Sequence, residues 1–303
     1  MLNLTTILPS SRRMAASLCI SALLCSSATA HEGEHQHSGS RVVSAGAGMT
    51  ELVFALDAGN ELVAVDSTSQ LPSESKDIAK LGYHRMLSAE GILALNPSIV
   101  LGSDAMGPKA TLDVLSAANV NVVQLPSANT QAQLYSNIDQ MGKLLQRESQ
   151  AKQLKSELQQ SFVDIEAKKQ QIASKGDAPK VLFLLLQADR PARVGGDDTA
   201  ADIIINLAGG KNIAGFSGYK SVSQEGVLAL NPDVILISNR SDKETANPVD
   251  TLLKNMPLLA HTPAGKNKQI QNLNSQALLG GLGISAIAAA DKLASDFINV
   301  KRY

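Results

Sequence analysis

The sequence predicts an α/β protein: two lobes, each a parallel sheet flanked by helices, joined by a long helix, with a ligand cleft between them. Three observations carry this. Apolar, β-branched runs alternate with amphipathic runs in both halves, the mark of parallel strands connected by helices. A sixteen-residue piece occurs twice. SAEGILALNPSIVLGS from Ser88 returns as SQEGVLALNPDVILIS from Ser223, an offset of 223 − 88 = 135 residues, with ten identities and three Ile/Val exchanges. Between the copies, 131–175 contains no proline and carries Leu144, Leu145, Leu154, Leu158, Phe162 and Ile165 at helical spacing.

Residues 1–30 read as a secretory signal peptide. Arg12 and Arg13 precede the apolar run MAASLCISALLCSSA, and Ala28-Thr29-Ala30 is an A-x-A cleavage site, so the expected cut follows Ala30. Both cysteines, Cys19 and Cys25, lie inside this peptide, which removes disulfide and thiolate chemistry from the remainder. The remaining 303 − 30 = 273 residues suit two domains and hold 27 − 2 = 25 basic against 28 acidic residues. That slight acidic excess argues against a nucleic-acid partner. Residues 31–40, HEGEHQHSGS, read as a disordered tail in which His31, His35 and His37 are weak candidate ligands for Zn²⁺ or Cu²⁺.

An N-terminal lobe is expected over 41–128. RVVSAG is a strand, and MTELVFALDAG a helix capped by Thr50 and closed at Gly59. ELVAVD is a strand ending at Asp66, followed by a Ser-rich loop. The repeated unit then gives a short helix, a stop at Asn96-Pro97 and the strand SIVLGS; the helix KATLDVLSAAN and the strand VNVVQL complete the lobe. Residues 129–178 form the connector, two helices broken near Arg147. The C-terminal lobe, 179–303, opens with the strand KVLFLLL and the helix TAADIIINLAGG. The second repeat supplies the helix QEGVLAL and the strand DVILIS, and TLLKNMPLL, NKQIQNL and ISAIAAADKLASDFI give helix, strand and terminal helix. In such Rossmann-like lobes ligands gather at the carboxyl ends of strands, so two facing lobes create a cleft.

Ser88 and Ser223 are expected helix caps, which place Glu90 and Glu225 in the first turn, where exposed N–H groups and the helix dipole favour a carboxylate. That alone accommodates a glutamate; its occurrence in both lobes also suits an acidic pair docking on a basic partner. GYHRM places Tyr83 and His84 on a loop in a chain with four tyrosines and no tryptophan. A phenolate is a hard oxygen ligand for ferric iron, and a nearby cation lowers the phenol pKa. If the stretch is extended, Arg85 projects with Tyr83, and His84 points away; an aromatic packed at a lobe rim is the plain alternative. GAGMTE, from Gly46 to Glu51, imitates a dinucleotide loop with Asp66 as a ribose partner, but Glu51 replaces the third glycine, and a tight strand-to-helix turn explains it better. No nucleophile–base constellation is present, and His261 is the only other histidine outside the tail.

RVVSAGAGMTELVFALDAGNELVAVDSTSQLP, LGYHRMLSAEGILALNPSIVLGS, TAADIIINLAGG and GYKSVSQEGVLALNPDVILIS together resemble the periplasmic haem-binding proteins of bacterial haem ABC importers. These are class III, helical-backbone substrate-binding proteins, related to vitamin B12- and siderophore-binding ones. The resemblance covers nearly all of the chain after Arg41. Gly-Tyr-x-Arg followed by Ser-Ala-Glu-Gly belongs to the haem branch; the E-G-[IV]-L-A-L-x-P piece is shared more widely. The resemblance implies a non-enzyme with limited hinge motion that holds one ferric haem in the cleft. Tyr83 would be the axial iron ligand, with Arg85 and His84 around it. Tyr219 would line the pocket, and the loop cations Lys220 and Arg193 would meet the propionates. Glu90 and Glu225 would dock on an inner-membrane ABC permease and its ATPase, downstream of an outer-membrane haem receptor. Other expectations are a siderophore or corrinoid carrier and, from another class, an exported α/β enzyme using the Gly46–Gly48 turn for phosphate.

Overall fold

The computed structural model describes residues 40–302 except residues 76, 188–189 and 240–247. The expected signal peptide and the histidines of the tail lie outside the described residues. In chain order the first half is β1 (Val42–Ala45), α1 (Ala47–Ala55), β2 (Leu62–Val65), β3 (Ala79–Lys80), α2 (Ala89–Leu93), β4 (Ile99–Ser103), α3 (Lys109–Ala117) and β5 (Asn121–Leu125). These strands form one parallel sheet in the order β3-β2-β1-β4-β5. Helices α4 (Gln131–Leu144) and α5 (Glu148–Ser174) follow. The left-handed Gln146, φ 56°, makes the break that the sequence places near Arg147.

The second half is β6 (Lys180–Gln187), β7 (Arg190–Gly195), α6 (Ala200–Leu207), β8 (Lys211–Asn212), β9 (Tyr219–Ser221), α7 (Gln224–Leu230), β10 (Val234–Asn239), α8 (Pro248–Asn255), α9 (Pro263–Lys266), β11 (Ile270–Asn272) and α10 (Ile284–Phe297). The sheet order is β11-β10-β6-β7-β9, with β8 beside β6. Two expectations need correction here. This sheet is mixed, because β7 runs antiparallel to both β6 and β9. RPARVG shows no apolar alternation, so the sequence hides a strand whose partners supply its order. Helix α1 also starts earlier than expected. Gly46, φ 123°, caps it, and Thr50 is buried inside it, bonded to Ser44 and Ser69. Gly59 opens a short 3-10 turn and does not close α1.

Period-two alternation distributes the strands' side chains among three cores. Val42, Ile99 and Leu101 of one sheet join Val181, Phe183, Val234 and Leu236 of the other in a single cluster. Leu154, Leu158, Ile165 and Ile172 of α5 lie in the same cluster. The intervening strand positions face outward. Val43, Ala45 and Val100 pack with Ile92 of α2, and Leu182, Leu184, Ile235 and Ile237 pack with Val227 of α7. A second tie between the halves is backbone on backbone. A Cβ on Gly48 would lie 3.3 Å from the Gly280 Cα, so two glycines are needed where α1 meets the segment before α10. Leu282 N–H donates to the Ala128 carbonyl at 2.6 Å. Glu51 accepts from the hydroxyl and N–H of Ser285 at the start of α10; burial pushes its carboxyl pKa up, and these bonds oppose the rise.

Ile165 is 1% exposed within the shared cluster, whereas Val163 is 51% exposed two residues away. Ile165→Ala is expected to lower the unfolding free energy by about 2–5 kcal/mol, and Val163→Ala by less than about 0.5 kcal/mol. Urea unfolding measures both. Equal effects would contradict α5 as a core element.

Candidate functional site

Tyr83 sits at the tip of a turn built by backbone hydrogen bonds. Met86 N–H donates to the Tyr83 carbonyl at 2.7 Å, which makes 83–86 a β-turn and not the extended stretch considered from sequence. The alternation argument that put Arg85 beside Tyr83 therefore does not apply. The turn is tied on both flanks. Ser67 N–H donates to Gly82 O at 3.2 Å, just past β2; Gly107 N–H donates to His84 O and Leu87 N–H to Gly107 O, each at 2.9 Å, just past β4. Tyr83 thus stands at the carboxyl edge of a parallel sheet, where ligands gather. Its side chain is 40% exposed, Met86 is 72% exposed, and Arg85 is exposed.

His84 turns inward. Its Nδ1 lies 3.0 Å from Asp66 Oδ2, and its ring is centred 4.4 Å from the Tyr83 ring at a tilt of 58°. Asp66 is fully buried and accepts from the Gly46 N–H, the Thr68 N–H and hydroxyl, and the Ser69 hydroxyl as well. Burial by itself would raise the Asp66 pKa; the bonds from His84, Thr68 and Ser69 outweigh it and bring the carboxyl to about 2. The ribose role that the sequence offered for Asp66, and that the tight-turn reading set aside, does not apply. Asp66 holds the α1 turn and the Tyr83 turn together from inside. A carboxylate bonded to Gly46 N–H also repels phosphate from the α1 N-terminus, which removes the basis for a nucleotide loop at Gly46–Gly48.

The duplicated glutamates occupy equivalent places. Ser88 Oγ accepts from Gly91 N–H at 3.3 Å, and Ser223 Oγ accepts from Gly226 N–H at 3.2 Å. Ile92 and Val227, both 0% exposed, anchor the two short helices inward. Glu90 and Glu225 are left exposed, each in the first helical turn. The Glu225 backbone N–H and the Ser223 hydroxyl hold the Glu225 carboxyl below the usual range.

The Gly-Tyr pairs, in contrast, are not equivalent. Gly218 has φ 73° and leads Tyr219 into β9, where the ring lies across Gly195; a Cβ there would be 3.2 Å from the ring. Arg193 and Lys220 are strand residues of β7 and β9, not the loop cations expected. The Arg193 guanidinium is 5.5 Å from the Tyr219 ring centre and donates to the Tyr219 carbonyl at 2.5 Å. Lys220 Nζ stands 4.8 Å from the Phe216 ring centre. A separate cavity of about 660 Å³ lies among α4, α5 and α6, lined by Gln131, Gln159, Phe162, Glu166, Asp202 and Asn206, and includes none of the predicted site residues. Its charged groups are acidic, the wrong sign for an anionic ligand. Among the described residues no cluster of three or more His, Cys, Asp or Glu side chains could hold a metal ion. No described helix is long and apolar enough to cross a membrane.

Met86 is the site-adjacent residue the sequence reading passed over; nothing in its neighbours marks a methionine as exposed. The lowered Asp66 pKa adds stability that is fully present above about pH 4 and is lost as pH falls through about 2. Asp66→Asn is therefore expected to cost about 2–3 kcal/mol at pH 7. Its deficit relative to wild type should shrink between pH 4 and pH 2 in denaturant titrations. A deficit constant across that window would deny the ionised, hydrogen-bonded Asp66.

Residues 42–277 match the family described as periplasmic binding protein. The structure resembles the periplasmic haem-binding protein HutB of Vibrio cholerae, with 40% identity, a TM-score of 0.77, and coverage of 84% of this chain and 98% of that one. A vitamin B12-binding protein of Pectobacterium atrosepticum is 27% identical over 205 residues, covering 67% of this chain and 73% of the relative. An uncharacterised ABC transporter substrate-binding lipoprotein of Bacillus subtilis is 27% identical over 202 residues, which is 66% of this chain and 63% of that protein's length. The chain belongs to the periplasmic binding protein family, whose members bind substrates for transport and are not enzymes.

Proposed function

We propose that this protein captures ferric haem and delivers it to an ABC importer. Tyr83 supplies the iron bond, and Glu90 with Glu225 engages the inner-membrane permease and its ATPase. The observation that carries the reading is Tyr83 itself, a partly exposed phenol on a hydrogen-bonded turn at the carboxyl edge of a parallel sheet. The 40% identity with a haem-binding protein, against 27% with a vitamin B12-binding one, favours haem over a corrinoid. The lobes are 41–128 and 179–303, joined by 129–178, and export follows cleavage after Ala30 into the periplasm.

Each part has a physical reason. A phenolate is a hard oxygen donor suited to ferric iron. Exposed Arg85 is the nearest cation along the chain. Arg193 of β7, which lies over the Tyr219 ring, and Lys220, which follows Tyr219 in β9, supply positive charge for the propionates. Glu90 and Glu225 stand on two pseudo-equivalent helices, so they present a matched pair of carboxylates to a basic surface.

Titration of ferric haem into the wild type should give saturable binding with a high-spin tyrosinate spectrum. Tyr83→Phe should abolish that signature and weaken binding; an unchanged spectrum would place the iron bond elsewhere. No haem binding by the wild type would redirect the reading to a corrinoid or siderophore. In vesicles carrying the permease, Glu90→Ala with Glu225→Ala should cut uptake by tenfold or more, on the order of hot-spot losses, with haem affinity unchanged. Full uptake by the double variant would refute docking through these two residues.

A further inference from the structure

Asp66 and His84 make an arrangement with more in it than the support of one turn. A neutral imidazole carries one N–H and one lone pair. The Asp66 carboxyl, its pKa lowered to about 2, is ionised and can only accept, so the Nδ1 of His84, 3.0 Å away, is assigned the proton. The lone pair then belongs to Nε2, on the far side of the ring from the carboxylate. Among the described residues Nε2 has no hydrogen-bond partner, and it is not among the sealed polar atoms. Asp66 cannot swing aside, because Gly46 and Ser69 hold its other oxygen at 3.1 and 2.7 Å. A histidine whose Nδ1–H is held by a buried carboxylate is the usual form of a metal-binding imidazole: the carboxylate fixes the tautomer and ring plane and strengthens the nitrogen donor.

We infer that His84 is a second iron donor in the Tyr83 site, braced by Asp66 and offering Nε2 to ferric haem alternately with the Tyr83 phenol. This rests on haem being the ligand. The two rings are neighbours on one turn, centred 4.4 Å apart, so a single bound iron lies close to both side chains. They act in turn and not as opposite axial ligands. The exchange breaks the Fe–O bond and forms an Fe–N bond; the released phenolate takes a proton from water, and the iron's oxidation state is unchanged. Asp66 is then a positioning residue that acts through His84.

The test is a set of ferric haem titrations read by absorption and electron paramagnetic resonance. It uses wild type, Tyr83→Phe, His84→Ala, Tyr83→Phe with His84→Ala, and Tyr83→Phe with Asp66→Asn. Tyr83→Phe should keep weaker binding with a nitrogen-donor spectrum. Adding His84→Ala should erase that spectrum and weaken binding at least tenfold; adding Asp66→Asn should weaken it about 10–100-fold without erasing it. His84→Ala alone should keep the tyrosinate spectrum. If Tyr83→Phe has the same spectrum with and without His84→Ala, the inference is overturned while haem capture stands. No haem binding by the wild type overturns both. Nitrogen NMR of the ligand-free protein is independent of haem and of how the variants fold. It should show the Nδ1–H tautomer at His84, and the Nε2–H tautomer would overturn the inference.

Discussion

Leu154, Leu158, Ile165 and Ile172 form one stripe along α5, and this stripe packs with strand residues from both sheets in a single apolar cluster. The consequence is mechanical as much as energetic. Each fully buried aliphatic side chain contributes roughly 1.5–3 kcal/mol, but close packing also resists change of shape. Two sheets that share one core cannot move independently without opening it. The glycine contact between Gly48 and Gly280, and the bonds from Leu282 to Ala128 and from Ser285 to Glu51, reinforce that restraint beside the cluster. A binding protein built this way holds its ligand groups largely in place before the ligand arrives, which reduces the ordering cost of binding.

On this base the Tyr83 turn is fixed without regular secondary structure. Its backbone is tied to the segments after β2 and β4, and its second side chain, His84, reaches the buried Asp66. Asp66 has a full complement of donors, and this is what allows a carboxylate to be buried here. Tyr83 and Met86 are thus exposed on a rigid support and not on a loose loop.

The internal duplication is conserved in one feature and lost in another. The Ser-x-Glu-Gly helices keep the same cap bond, the same buried aliphatic anchor and the same outward glutamate. The Gly-Tyr pairs diverge, because one precedes a turn and the other precedes an antiparallel strand. On the proposed function, a surface that presents two matching carboxylates tolerates little change in either copy.

The local chemistry of the chain determined much of this. Apolar, β-branched runs located β1, β2, β4, β5, β6 and β10, helical spacing located α4 and α5, and the serine caps located α2 and α7, because each follows from contacts within a few residues. The exposed glutamates and the loop position of Tyr83 were legible for the same reason. Strand β7 was not, since RPARVG has no pattern of its own and becomes a strand only between β6 and β9. The start of α1 was missed because Gly46 does the capping through its backbone angle and not through a side chain. The partnership of Asp66 with His84 joins residues 18 positions apart, and the turn at 83–86 is tied down by Ser67 and Gly107, so only the tertiary structure could decide them: such bonds depend on which strand ends the fold brings together.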